Sequence, residues 1–313
     1  MSQENLLSVT PRQKWTAIIG LATVMAIFGS IGFVAAETGL HSRELVFIRC
    51  VFGAFFLGIA WVMTGEFKKE RWNKSETIRV CIGGIILVLN WLFLFMSFEV
   101  MPVTITVAIY YLAPVFVLLL GSLIFRERLS LISVGSILLC FVGTLLIMGI
   151  DGGWSINRFM ASGFAWALLA ALFYSMLTLI GKGVTLLSPY AVSFCHMFLG
   201  VFFLIPVIKL DSFTQLSFHN WLAIVVIGSV HTGFVYYLFF GSIRFLPARI
   251  TSALLFLDPA VAILLDMMIT NFRPTAVQLV GILLTLIGIA FVLFMSTPVS
   301  KKEKDRDAMV DLE

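Results

Sequence analysis

The sequence predicts an all-α membrane protein of ten transmembrane helices, arranged as two five-helix repeats with inverted topology. Three observations predict this fold. Of the 313 residues, 60% are hydrophobic and only 12% are charged, the apolar residues form ten long runs, and the second half repeats the first. Soluble domains carry roughly 25% charged residues, so a soluble protein with a large apolar core is not expected.

Each apolar run is close to the roughly 20 residues that an α-helix needs to cross a bilayer. Only short loops separate the runs. The first run exceeds the roughly 7–15 apolar residues of a signal peptide, so we expect it to be retained as a span. The predicted spans 1 to 10 lie at 15–36, 45–64, 77–98, 103–124, 130–149, 161–182, 188–208, 220–243, 248–269 and 275–296.

Basic residues concentrate on one side of this predicted bundle, the side that holds both chain ends. Basic residues that flank spans resist translocation, so we expect both termini in the cytoplasm and a multi-pass protein of the cell membrane, a bacterial inner or plasma membrane. Acidic residues interleave with the basic ones, which makes nucleic acid an unexpected partner beside the lipid bilayer. The basic residues on the other side are Arg43, Arg158, Lys209 and Arg273.

The two halves of the chain align at an offset of 145 residues, which pairs Pro114 with Pro259. "MPVTITVAIYYLAPVFVLLL" (101–120) matches "LPARITSALLFLDPAVAILL" (246–265) without a gap. Five spans is an odd number, so the second copy enters the membrane from the opposite side, as in many secondary transporters. We therefore expect one repeat at 1–150, a second at 151–298 and a charged cytoplasmic tail at 299–313.

Four local phrases accompany this duplication: "AIFGSIGFVAAE", "LVFIRCVFGA", "YLAPVFVLLLGSLIFRERLS" and "AALFYSMLTLIGKGV". Together with ten spans in a five-plus-five arrangement, they resemble the drug/metabolite transporter superfamily, specifically its EamA-type members. The resemblance covers nearly the whole chain. It implies secondary transport through a cavity between the halves, and many of the relatives it implies are exporters.

The ninth span departs from the pattern, since Asp258 and Asp266 stand where the first half has apolar or small residues. An Asp at the centre of a span costs about 2.5–3.5 kcal/mol on insertion, so it usually faces a cavity or a partner. Eight residues bring the two acids within about 80° of each other on a regular helix. Asp258 is the predicted site for a substrate cation or a coupling proton, with Asp266 as a second proton candidate.

Pro114 and Pro259 each remove a backbone hydrogen bond from the centre of a span. The freed carbonyls, those of Tyr110 and Leu255, are tolerated in a membrane only where they meet protein or water. We therefore predict that spans 4 and 9 are kinked, that they face each other across a wet cavity, and that the two prolines are hinges.

Polar-tipped side chains gather at the same predicted depth. A carboxylate surrounded by aromatic faces suits an amine or a quaternary ammonium, through charge pairing and cation–π attraction. The alternative is that these rings only pack the core. The predicted substrate-binding set, beside Asp258, is Asn90, Trp91, Tyr110, Tyr111, Tyr236 and Tyr237.

Arg49 and two histidines are further candidates within spans. Arg49 could bind a substrate carboxylate in a bidentate manner, or it could reach the interface or pair with Glu37 or Glu99. Free histidine titrates near neutral pH, so His231 and His196 could relay protons, or each could be a hydrogen-bonded packing residue.

Neither a cofactor nor a metal is expected, because the four cysteines form no CxxC pair and the chain has no HExxH or nucleotide-binding loop. An enzyme is therefore disfavoured. Small residues seven apart, Ser136 with Gly143 and Gly281 with Gly288, predict close helix packing. The oligomeric state that we expect is either a monomer or a weak homodimer.

The sequence as a whole favours a secondary transporter, with export as the favoured direction, for a small polar metabolite such as an amino acid or an amine. Alternating access between the two halves would move it, with protons as a candidate coupling ion. The alternatives are a multidrug or quaternary-ammonium exporter and, less favoured, a membrane channel.

Overall fold

A computed structural model of the chain describes residues 9–100, 103–126, 129–147, 163–269 and 273–295, and all regular secondary structure within these ranges is helical. Seven of the described helices are long and apolar enough to cross a membrane. Spans 4 and 5 contribute the shorter apolar helices Ala113–Phe125 and Leu131–Ile147, and span 1 starts with the polar turn "PRQK". The predicted all-α membrane fold is confirmed.

The described helices follow the ten predicted spans in order. We call the end of the bundle where span 1 begins the proximal end, and the other the distal end. The spans are Pro11–Gly29 with Ile31–Ala36, Ser42–Met63, Lys74–Val100, Val103–Tyr110 with Ala113–Phe125, Leu131–Ile147, Gly163–Gly183, Pro189–Leu204, Phe218–Gly228 with Ser229–Phe234 and Val235–Ile243, Ala248–Leu255 with Leu257–Ile269, and Ala276–Met295. Short 3₁₀ turns lie in the loops at Glu66–Lys68, Ile205–Val207 and Leu210–Phe213.

Spans 4 and 9 are both broken where a proline follows. Span 4 stops at Tyr110 and restarts at Ala113, and span 9 stops at Leu255 and restarts at Leu257. The two broken spans also touch, since the Ser252 hydroxyl donates a hydrogen bond to the carbonyl oxygen of Pro114. Kinked helices that face each other are therefore observed at the predicted positions.

Packing between spans follows the sequence repeat. Spans 5 and 10, 4 and 9, and 2 and 7 are equivalent by the repeat, and each pair packs together. Span 3 packs on span 6, and the equivalent pair, span 8 and span 1, does the same. The halves are thus related by an approximate two-fold axis, and their odd number of spans gives the second half the inverted orientation.

Small residues bring spans 5 and 10 into close contact. A Cβ atom on Gly143 would lie 2.9 Å from the backbone nitrogen of Thr285, and one on Gly288 would lie 2.8 Å from the carbonyl oxygen of Ser136. The two predicted small-residue stripes therefore pack against each other within one chain, where close backbone approach favours helix association.

Loops at each end of the bundle are held by similar glutamate contacts. At the proximal end, Glu70 accepts hydrogen bonds from the backbone nitrogen and the hydroxyl of Ser188, the N-cap of span 7. At the distal end, Glu44 near the start of span 2 accepts one from the Lys209 backbone nitrogen at 3.2 Å. These contacts tie the loop that follows span 2 to span 7, and the loop that follows span 7 to span 2.

Candidate functional site

The carboxylate of Asp258 lies inside the bundle, at the break in span 9. The Tyr111 side chain, at the break in span 4, lies beside it. Because the break starts a new helix at Leu257, Asp258 falls in the first turn of that helix, where the helix dipole favours a negative charge. The proline that interrupts span 9 thus creates a site that an acid can occupy at mid-membrane.

Arg49 is also buried, with 7% of its surface exposed. Its Nε donates a hydrogen bond to Thr232 Oγ1 at 3.0 Å, and its guanidinium carbon lies 5.0 Å from the centre of the Trp91 ring. Among the described side chains, no carboxylate lies within salt-bridge distance of Arg49. The guanidinium therefore does not reach the interface, and a buried charge of this kind is costly unless an anionic group compensates it.

Pairing of Arg49 with Glu37 is not observed, because Glu37 faces the distal start of span 8. Its carboxylate lies 2.8 Å from His219 Nε2, and its backbone carbonyl accepts a hydrogen bond from the Asn220 amide. The side chain of Glu99 lies outside the described part of the structure.

Tyr110 lies near both charged residues, Arg49 and Asp258. Its hydroxyl accepts a hydrogen bond from Asn90 Nδ2 at 3.3 Å, and its ring lies 5.6 Å from the ring of Tyr174. Asn90 also donates to a backbone carbonyl of span 6 at 2.7 Å, which fixes its amide.

Trp91 and Tyr236 belong to the same group of side chains as Tyr110, Asn90 and Tyr174, and we call this group the central enclosure. The rings of Trp91 and Tyr236 meet edge to face with centroids 6.1 Å apart, and they occupy equivalent positions in the two halves. Tyr174 of span 6 was not a sequence candidate, although it sits within the phrase "AALFYSMLTLIGKGV". The structure therefore gathers the predicted residues Asn90, Trp91, Tyr110, Tyr111, Tyr236, Arg49 and Asp258 around one central region.

Tyr237 does not join this enclosure. It stacks on Tyr190 of span 7 at 4.3 Å, towards the proximal end. Consecutive residues of a helix point about 100° apart, so Tyr236 and Tyr237 cannot both face the centre. The structure therefore separates Tyr237 from the other predicted residues, and its role in substrate binding stays a prediction.

Thr232 and His231 lie on the one π-helical segment of the described chain, Ser229–Phe234 in span 8. The wide turn lets the Thr232 hydroxyl donate to the Ile227 carbonyl, five residues back, at 2.9 Å, while it accepts from Arg49. His231 Nε2 lies 2.9 Å from the hydroxyl of Ser30, where span 1 is broken. Nothing in the sequence indicated a π-turn, so Thr232 was missed.

Two proton candidates remain, His196 and Asp266. His196 of span 7 is buried against Gly83 and lies 4.9 Å, ring to ring, from Phe240. Asp266 belongs to the helix that starts at Leu257, and its side chain lies outside the described residues. Within the described ranges, no three His, Cys, Asp or Glu side chains are placed to hold a metal ion.

Comparison with known proteins gives three similarities. The model of the EamA-like transporter family matches residues 15–149 and, separately, 161–294. A Bacillus subtilis (strain 168) protein named "Uncharacterized transporter YxxF" is 50% identical over 286 residues, which cover 91% of this chain and 92% of that protein. A solved crystal structure superposes with a TM-score of 0.77 at 18% identity, covering 90% of this chain and 98% of the other.

Proposed function

Because the chain belongs to the EamA-like transporter family and is a multi-pass membrane transporter of that type, we propose that it moves a small zwitterionic metabolite by alternating access. An amino acid is the favoured substrate, and a related amine is the second choice. We also propose export as the net direction, because the chain resembles the drug/metabolite transporter superfamily and many members of that superfamily are exporters.

The observation that carries this proposal is that Tyr110 lies near two opposite charges, Arg49 and Asp258. Arg49, which lacks a carboxylate partner among the described side chains, can bind the carboxylate of a substrate. Asp258 can bind an ammonium group, and the nearby aromatic faces add cation–π attraction. A zwitterion satisfies both charges at once.

Asp258 is also the proposed site of the coupling proton, because a carboxylate that binds an ammonium group in one state can release it on protonation in another. His231 is the second proton candidate of this proposal, and Asp266 and His196 rank behind it. We further propose a location in a bacterial inner or plasma membrane, with both termini in the cytoplasm. A cysteine at either terminus should then react with an impermeant maleimide only from the cytoplasmic side.

The proposal is tested with purified protein in proteoliposomes under an imposed proton gradient. One arm measures uptake of radiolabelled neutral amino acids, and the other measures uptake of radiolabelled tetraethylammonium, a pure cation. We expect uphill amino-acid accumulation that tetraethylammonium inhibits weakly. Accumulation of tetraethylammonium alone would instead identify a quaternary-ammonium exporter, in which Asp258 and the rings matter and Arg49 does not.

A membrane channel is the remaining alternative. A channel only equilibrates its solute, so it cannot concentrate an amino acid against its gradient. Accumulation above the external concentration, abolished by a protonophore, would support the proposed carrier and exclude the channel.

A further inference from the structure

An elongated groove lies on the lipid-facing side of spans 1 and 8 at the proximal end. It encloses about 500 Å³, and its walls carry Arg12, Ile19 and Thr23 from span 1 and Leu238, Gly241 and Phe245 from the region of span 8. Ile19 is 64% exposed although it lies within a span. An apolar side chain this exposed at membrane depth must contact lipid, so the groove opens towards the bilayer.

The groove has the length of one lipid leaflet. Arg12 and Thr23 are eleven residues apart on one helix, which corresponds to about 16 Å at 1.5 Å per residue. The hydrocarbon core of a bilayer is roughly 30 Å thick, so one leaflet is about 15 Å. An acyl chain that starts at the membrane surface near Arg12 would therefore end close to the bilayer midplane.

The one charged side chain among the described residues that line the groove lies at its surface end: Arg12 is exposed in the first turn of span 1. Deeper along the groove most of the exposed wall is apolar, with Ile19 and Leu238, although Thr23 and Ser242 also line it. A Cβ atom on Gly241 would contact Pro189 at 3.4 Å. A guanidinium binds phosphate well, and an apolar wall suits an acyl chain.

We propose that this groove is a binding site for an anionic phospholipid, with its phosphate at Arg12 and one acyl chain between spans 1 and 8. This site is separate from the central enclosure and does not depend on the identity of the transported substrate. Its lipid would lie against Tyr237, which directly follows Tyr236 of the central enclosure.

A second, smaller cavity of about 200 Å³ at the distal end is lined by Arg43 of span 2, by Trp91, Leu92 and Met96 of span 3, and by residues near the end of span 7. None of its described lining residues belongs to span 6, the equivalent of span 1, and Trp91 also belongs to the central enclosure. We therefore assign only the proximal groove to lipid.

The test uses delipidated, detergent-solubilised protein and native mass spectrometry. Dioleoyl phosphatidylglycerol is titrated in parallel with dioleoyl phosphatidylcholine, with dioleoylglycerol, which lacks phosphate, and with glycerol 3-phosphate, which lacks acyl chains. The Arg12→Gln variant removes the charge, and Gly241→Leu fills the groove. Ile19→Trp fills it from the opposite wall, at an exposed position where folding is not at risk.

Two controls match these variants. Lys14→Gln removes a neighbouring charge that does not line the groove, and Gly135→Leu adds the same side chain to a span-5 glycine whose added Cβ would meet no atom within 4 Å.

We expect Arg12→Gln to weaken phosphatidylglycerol binding about fivefold and to remove its advantage over phosphatidylcholine. Gly241→Leu and Ile19→Trp should each abolish the tightest lipid adduct, while both controls retain it. Equal losses in Lys14→Gln and Arg12→Gln would overturn the proposal, as would an unchanged adduct in both groove-filling variants. Binding of glycerol 3-phosphate as tight as that of phosphatidylglycerol would overturn it as well, by identifying a site for free phosphate.

Discussion

Cys140 and Thr285 occupy equivalent positions in the two halves, and they touch: the Cys140 thiol donates a hydrogen bond to the Thr285 carbonyl oxygen at 3.5 Å. A residue meets its own equivalent only near the axis that relates the two copies. Trp91 and Tyr236 form a second such pair. The approximate two-fold axis therefore runs from the seam between spans 5 and 10 through the central enclosure.

Polar chemistry on this axis is not duplicated. Phe194 occupies the position equivalent to Arg49, and Ala113 the position equivalent to Asp258. One half thus contributes the cation and the other the anion to the central enclosure, as the proposed zwitterionic substrate would use them.

Replacing Asp258 by Asn tests the role of the acid. The amide has nearly the same size and shape as the carboxylate, so the protein should fold, but it can neither pair with an ammonium group nor carry a coupling proton. We expect amino-acid uptake in proteoliposomes to fall at least about tenfold, the loss typical of one charge-assisted hydrogen bond. The matched control is Asp211→Asn, at an exposed distal turn. Unchanged uptake in Asp258→Asn would remove this residue from the mechanism.

Thr232→Val should separate the two ends of the substrate. The variant keeps the side-chain shape and loses the hydroxyl that accepts from Arg49, a charged hydrogen bond worth about 1.5–3 kcal/mol. We expect the KM of Thr232→Val for an amino acid to rise about tenfold or more, while uptake of the corresponding amine changes little. Thr232→Ser keeps the hydroxyl and should have the parental KM.

Thr178→Val is the control for this comparison, because the buried Thr178 hydroxyl bonds to the Tyr174 carbonyl of its own helix. If Thr232→Val raised the KM for the amine as much as that for the amino acid, Thr232 would have only a structural role.

Pro114→Ala and Pro259→Ala test the two helix breaks. Alanine restores a backbone donor and favours a continuous helix, so we expect kcat to fall by more than substrate affinity, measured by uptake and by equilibrium binding. Pro11→Ala serves as the control, because proline at the first helical position leaves a helix intact. A loss of affinity with an unchanged kcat would show that the breaks are not hinges.

Gly143→Ala should destabilise the seam between spans 5 and 10. The new methyl group would lie 2.7 Å from the Gly281 carbonyl oxygen and 2.9 Å from the Thr285 backbone nitrogen. Overpacking of this kind costs about 1–3 kcal/mol, and thermal unfolding in detergent measures it. Gly135→Ala, in the same helix but with open space around it, should be neutral or stabilising by about 0.5–1 kcal/mol. An equal Tm for the two variants would contradict the close contact at Gly143.

The composition predicted the spans, and the equivalent prolines Pro114 and Pro259 predicted the repeat and the breaks in spans 4 and 9. These features could be predicted because each depends on residues that are close together in the sequence. The sequence also indicated most of the central residues, since polar groups at mid-span are costly and seldom lack a role. It grouped Tyr237 with Tyr236, whereas Tyr237 stacks on Tyr190, because neighbouring helical positions face different directions. It gave no sign of Thr232 or of the break at Ser30, since both depend on how spans 1, 2 and 8 pack together.

The π-helical turn in span 8 has a geometric consequence for the tyrosines that follow it. The π-helical segment Ser229–Phe234 accommodates one residue more than an α-helical segment of the same rotation. Its conversion into an ordinary α-helix would therefore rotate the next segment by about 100°. That rotation is the angle between adjacent side chains. It would turn Tyr236 to the direction that Tyr237 now faces and bring Val235 round towards Trp91, so that an aliphatic side chain replaces the ring that closes the enclosure without unfolding the helix.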